Sequence, residues 1–136
     1  MGTHIEAELH RLKLWYWHNW RLCLFCNHAV RKEGDLTHLI RRSASIHLQT
    51  LKLNTGLAHR ECHDIFDNKP GEAIYLPRFI ECMYLIWKID INYYGPLASC
   101  YSNTEITLPD FFKIDSELPP IEHHGELLTL RSFLIP

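Results

Sequence analysis

Four residues in two matched pairs carry the clearest chemistry in this chain. Cys23-Leu24-Phe25-Cys26 and His59-Arg60-Glu61-Cys62 each place two potential metal ligands three positions apart. Zinc takes four sulfur or nitrogen ligands in a tetrahedron. A Cys-x-x-Cys turn sets two sulfurs on one side of such an ion, and a second pair of equal spacing closes the other. The expected structural zinc set is therefore Cys23, Cys26, His59 and Cys62. His28 and His63 stand close enough in sequence to replace His59, which is preferred because its spacing mirrors that of the first pair. The five cysteines (23, 26, 62, 82 and 100) are an odd number, which argues against a full disulfide framework. Cys82 lies in an apolar run and reads as a buried thiol.

Interleaved with these pairs is a second ordered set: His38, Asn54 and His63. The segment Asp35-Leu36-Thr37-His38-Leu39-Ile40-Arg41-Arg42-Ser43 resembles the first signature of the HNH, or His-Me finger, nucleases. Leu53-Asn54-Thr55-Gly56-Leu57 resembles the middle signature. His59-Arg60-Glu61-Cys62-His63-Asp64 resembles the last, in the subfamily braced by zinc knuckles. The resemblance spans roughly residues 23–68, about a third of the chain.

The resemblance implies a β-hairpin followed by a helix, with one divalent ion between them. It implies that His38 is the general base, suited to the task by a pKa near neutrality. Asn54 would steer that base and fix its loop, since an amide donates and accepts without titrating. His63 would ligate the catalytic ion from the helix. Asp67, four residues on, shares its helical face and would complete the site. Magnesium or manganese suits such a mixed imidazole and carboxylate shell. Two positions depart from the family pattern. Thr37 stands where His or Asp usually ligates the ion, so Asp35, on the same strand face as Thr37, is the expected substitute. Arg41 stands where a proline is frequent.

Charge adds a candidate partner. From Arg11 to Arg60 there are nine Lys/Arg against two acids, a balance of +7, and the remainder carries −9 within a net charge of −2. A basic segment of this kind fits a phosphate-rich partner, DNA in the first instance. Arg41, Arg42, Lys52 and Arg60 flank the catalytic set and are expected to contact phosphates, which position a nucleic acid without reading its sequence. A solvated charged face or a protein partner would account for the same imbalance.

The elements that must position these residues follow from periodicity. Residues 5–20 have helical spacing, with Trp15, Tyr16, Trp17 and Trp20 read as packing residues. Gly34 is expected to take positive φ in a turn over 31–35. Strands are expected over 35–40 and 55–59, with an irregular loop at 41–53 between them. A helix over 60–67 ends at Asn68-Lys69-Pro70-Gly71. A longer helix starts at Pro77, with Phe79, Ile80, Met83, Tyr84, Trp87 and Ile91 as its buried stripe. Four prolines between 96 and 120 suggest an extended tail, with a short strand near 127–130. His47, His123 and His124 read as surface residues.

The expected fold is thus α+β. A small ββα-metal core, braced by zinc, is flanked by helices, with residues 1–95 forming the domain and 96–136 an extended segment packed on it. The absence of a secretory pattern and of a long apolar run predicts a cytoplasmic protein. The function expected is metal-dependent hydrolysis of DNA. The alternatives are a zinc-braced module that binds nucleic acid or protein without cutting, and a purely structural subunit.

Overall fold

The computed structural model describes residues 2–31, 34–42, 44, 46–118 and 131. The architecture is α+β, mostly helical with one two-stranded antiparallel sheet. Its first helix, α1, is Gly2–Asn19. The hairpin strands are β1, Asp35–His38, and β2, Thr55–Ala58. Then come α2 (Arg60–Asn68), α3 (Pro70–Ala73), α4 (Phe79–Ile89), α5 (Ile91–Ser99) and α6 (Phe111–Ser116).

Strands β1 and β2 pair from Asp35↔Ala58 to His38↔Thr55. β1 is shorter than the sequence suggests, for a specific reason. The backbone N–H of Leu39 still donates to the Asn54 carbonyl at 2.9 Å. At Ile40, however, both backbone groups bond the Asn54 side chain instead of a strand. The ladder stops there, and the loop turns away through single 3-10 turns at Ile46–Leu48 and Lys52–Asn54. β2 stops one residue early because His59 caps the N-terminus of α2 with extended backbone.

A turn at residues 22–30 joins α1 to the hairpin. Leu22 bridges Ala29, and Asn27 takes φ 64°, a left-handed conformation that asparagine tolerates. Leu24 and Phe25, between the two cysteines, are fully buried. Leu24 N–H donates to the Leu57 carbonyl of β2 at 2.8 Å. Its side chain packs over Gly56, where a Cβ would come within 3.2 Å of Leu24 Cβ. Phe25 stacks on Phe66 of α2 with ring centroids 4.6 Å apart. Full burial of side chains like these contributes about 1.5–3 kcal/mol each. The turn is thereby a wedge in the core as well as a ligand carrier. Gly34 is required for space and not for positive φ: no glycine among the described residues has positive φ, and a Cβ at Gly34 would collide with Val30 Cγ1.

Helix α1 docks on the hairpin through Leu12 and Tyr16, both buried. The Tyr16 hydroxyl lies 2.6 Å from the Lys52 carbonyl and 2.7 Å from that of Thr55, so it ties the helix to the strand entry. Trp15, Trp17 and Trp20 pack half-buried at the core's edge. Helix α4 begins at Phe79, two residues after Pro77; of its expected stripe Phe79, Met83 and Tyr84 are buried, and Ile80 and Trp87 are half-buried against the core. Just before it, Arg78 is fully buried in an ion pair with Glu81 and donates to Asn27 Oδ1 at 3.5 Å, behind the turn.

The segment from 96 onward is not simply extended. Asp90 caps α5, accepting from Asn92 and Tyr93 N–H, and the helix continues through Pro96, so the expected boundary at 95/96 falls inside it. Ile91 lies on this second helix and is half exposed. Asp110 caps α6 in the same manner. Lys88 and Tyr84 hold Asp115 at 2.5 and 2.8 Å, fastening α6 to α4. Arg131 is buried and donates to the carbonyls of Lys52 and Thr55 at 3.1 and 2.7 Å. The strand expected near 127–130, Ser43, His123 and His124 lie outside the described residues; His47 is exposed, as expected.

Candidate functional site

The four expected zinc ligands converge. Cys23, Cys26, His59 and Cys62 each offer one ligand atom, and all four atoms lie within 4.8 Å of one another. His59 Nδ1 stands 3.4 Å from Cys26 Sγ and 3.9 Å from Cys62 Sγ. A tetrahedral zinc with ordinary bond lengths sets such N···S pairs about 3.6 Å apart, between these two distances. The other ring nitrogen, Nε2, bonds the Ala29 carbonyl at 3.1 Å and must carry the proton there, since a carbonyl only accepts. Nδ1 is thereby left as the ligand, in the arrangement that usually backs a metal-bound histidine. Burial, and then the nearness of the other cysteines, pushes the Cys62 thiol up. Burial is also the first cause of the rise at Cys26. Thiols packed this closely ionise together only around a cation. The site could hold a metal ion, and three sulfurs with one imidazole suit zinc. Between His28, His59 and His63 the structure selects His59; His28 is exposed, and His63 is engaged elsewhere.

The second constellation shares α2 with the first. A cleft of about 570 Å3 opens between α1, β1, α2 and the loop that follows β1. His38, His63, Asp67, Arg41 and Arg42 all line it. His38 ends β1, where it is half-buried. Its Nε2 lies 2.7 Å from the Gln49 carbonyl, which fixes the proton on Nε2 and leaves Nδ1 as the nitrogen able to accept one. Burial lowers the His38 pKa, and the neighbouring charges of Arg42 and His63 lower it further, against the opposing effect of the Gln49 carbonyl. The shift favours the neutral imidazole, whose Nδ1 is free to accept a proton.

Asn54 is fully buried and does not touch the cleft. Its Oδ1 accepts from Ile40 N–H at 2.7 Å, and its Nδ2 donates to the carbonyls of Ile40 and Leu48, both at 3.1 Å. It therefore clamps both ends of the loop that runs from His38 to Gln49. His38 is oriented by Gln49, and Gln49 is held in place by Asn54.

His63 lies one residue beyond Cys62 and turns toward the cleft on α2. Its Nε2 is 2.9 Å from Asp67 Oδ2, and its Nδ1 is 3.6 Å from Asp35 Oδ2. The Asp67 hydrogen bond is the largest influence raising the His63 pKa, with burial opposing it and Asp35 adding to it. Asp35 is not among the residues lining the cleft; it stands behind the ring and is also held by Arg60 at 3.3 Å. The three therefore do not converge: among the described residues, the Cys3His set is the group whose ligand atoms cluster for a metal. Thr37 is buried, with its hydroxyl lacking a hydrogen-bond partner among the described residues.

Of the four expected phosphate contacts, Arg41 and Arg42 line the cleft. Lys52 lies instead on another face of α1, with its ammonium 3.9 Å from the Trp15 ring centre. Arg60 sits with Asp35 behind His63. In their place α1 contributes His10 and Lys13 to the cleft wall, beside Leu9. The i, i+4 pairing of Leu9 and Lys13 on one helical face was the available signal, but it does not say which element that face meets. No helix among the described residues is long and apolar enough to cross a membrane. No family model, curated protein or solved structure matches the chain.

Proposed function

We propose that this protein is a metal-dependent endonuclease of the HNH type, with a ββα-metal core formed by β1, β2 and α2 and a structural zinc at Cys23, Cys26, His59 and Cys62. The observation that carries the reading is the cleft itself. It joins a neutral, oriented imidazole at His38 to a His63–Asp67 pair between two arginines and the basic wall of α1. His63 Nε2 and Asp67 Oδ2 are 2.9 Å apart. Two ligands at right angles on one Mg²⁺ or Mn²⁺ ion sit about 3.0 Å apart, so this pair fits a shared ion. When bound there, that ion supplies positive charge to the scissile phosphate and the leaving oxygen. Asp35 then orients His63 from behind, as carboxylates commonly orient metal-bound histidines.

The protein's own groups do the rest. His38 Nδ1 takes a proton from water as the water oxygen bonds phosphorus and the bond to the leaving oxygen breaks; that oxygen takes its proton from solvent. General-base assistance of this kind is worth about 10²–10⁴-fold. Arg41, Arg42, Lys13 and His10 hold the flanking phosphates. The test is nicking of supercoiled plasmid by zinc-loaded protein with Mg²⁺ or Mn²⁺, expected for the native chain and absent for His38→Ala. Intact plasmid and intact single-stranded DNA under both ions defeat the enzyme reading.

Buried Thr37, in the place of the family's usual ligand, favours a second reading: a zinc-braced module that binds DNA or a protein through the same basic cleft without cutting. It predicts salt-sensitive DNA binding, or a stable protein partner, with no nicking.

A further inference from the structure

A second groove adjoins the proposed catalytic cleft and shares two of its residues, Arg41 and Asp67. Its volume is about 400 Å3, within the roughly 300–1,000 Å3 range of small-molecule sites. The character of the wall changes across the shared pair. The cleft is basic, whereas the groove is lined by Phe66, Tyr93, Leu97 and Tyr101, together with the shared Arg41 and Asp67. Tyr93 and Leu97 are one turn apart on α5, both half-buried, so one helical face presents a ring and an aliphatic chain to the groove. Tyr101 is buried beneath, with its ring 4.9 Å from that of Phe79. A largely apolar, aromatic groove with two charged side chains on the wall it shares with the cleft suits a flat, partly polar ligand. A strand whose phosphate is held in the cleft by Arg41 runs beside this groove.

We infer that this groove receives an unstacked nucleobase of the strand being cut, beside the scissile phosphate, with Tyr93 as the stacking face. The inference rests on the nuclease reading of the neighbouring cleft, and it deepens that reading. A base can enter only if it has left its own stack, so the substrate class is single-stranded or locally unpaired nucleic acid. Intact duplex is the poorer ligand, because unpairing a base costs a few kcal/mol. Stacking on an aromatic face tolerates every base, so the groove confers strand-state preference with little sequence preference.

The test uses the full zinc-loaded chain without added Mg²⁺ or Mn²⁺, so that the oligonucleotide stays uncut. The probe is a short single-stranded DNA containing 2-aminopurine, whose fluorescence is quenched by stacking on an aromatic ring; affinity is read by anisotropy. The native chain and Tyr93→Phe bind and quench. Tyr93→Leu keeps apolar bulk for folding but has no ring, and it is expected to bind on the order of tenfold more weakly and to lose the quench. Zinc content and thermal unfolding of the variants check the fold. Binding by Tyr93→Leu equal to that of the native chain, duplex bound better than single strand, or no binding by the native chain each overturns the subsite. Cleavage of single-stranded DNA with added Mg²⁺ or Mn²⁺ separates the two ideas. Cleavage with no effect of Tyr93→Leu removes the subsite and keeps the nuclease; no cleavage of single-stranded DNA or plasmid by the native chain removes the nuclease itself.

Discussion

Replacing Asn54 with alanine removes three hydrogen bonds at once without touching the cleft. The side chain satisfies Ile40 N–H, Ile40 C=O and Leu48 C=O. Both Ile40 and Asn54 are almost wholly buried, so the Ile40 groups have no ready access to water. A buried group left unsatisfied costs about 1–3 kcal/mol. With the Leu48 carbonyl only part-buried and able to rehydrate, the two Ile40 groups set the expected loss at about 2–6 kcal/mol. That is a large fraction of the 5–15 kcal/mol typical of a domain. The cost falls on the loop that carries Gln49, so the Gln49 carbonyl no longer fixes His38 Nε2. Under the nuclease reading, plasmid cleavage is expected to fall toward that of His38→Ala. Three measurements on zinc-loaded protein check this: denaturant unfolding, amide exchange over residues 39–50 and the nicking rate. An Asn54→Ala protein with native midpoint and native cleavage would refute the claim that Asn54 acts on the base through the loop.

Other outcomes follow from the same geometry. Cys62→Ser or a strong chelator is expected to lower the melting temperature sharply, because zinc binding to such sites supplies much of the folding free energy; unchanged melting on zinc removal contradicts the brace. The lowered His38 pKa puts the protonation midpoint of the base below 6.5, so the acid limb of kcat/KM is expected to have its midpoint below that value. A midpoint above 6.5 is inconsistent with this. Arg42→Gln should reduce the slope of log affinity against log salt by about 0.9 on duplex or 0.7 on single strands, with little change in base preference. Arg78→Met strands the buried Glu81 carboxylate and should cost about 3–5 kcal/mol in urea unfolding, whereas Arg78→Met with Glu81→Leu should recover most of it.

What the sequence makes legible here is what lies within one turn or one strand. The Cys23–Cys26 and His59–Cys62 spacings each sit on a single local element, so the ligand set and the hairpin between them can be read directly. Even the selection of His59 over His63 follows from spacing. Asp35 was expected as a ligand from strand alternation alone, but its reach is decided by α2, which brings Arg60 and His63 against it. Lys52 and Arg60 neighbour the site in sequence and face away from it, because the docking of α1 and the first turn of α2 set their directions. His10 and Lys13 enter by the same docking, far from the motif in sequence. The segment after 96 misleads through its prolines, although Asp90 and Asp110 already marked helix starts as capping residues.

The two proposed metal sites meet at adjacent residues, Cys62 and His63, and their independence can be measured. Zinc content is determined by elemental analysis on the native chain and on His63→Ala, and Mn²⁺ binding to the zinc-loaded proteins is followed by electron paramagnetic resonance. The native chain is expected to hold one zinc and bind one Mn²⁺. His63→Ala is expected to keep its zinc and lose the Mn²⁺ site. Loss of zinc from His63→Ala, or a native chain that binds no Mn²⁺ beyond its zinc, would contradict the account.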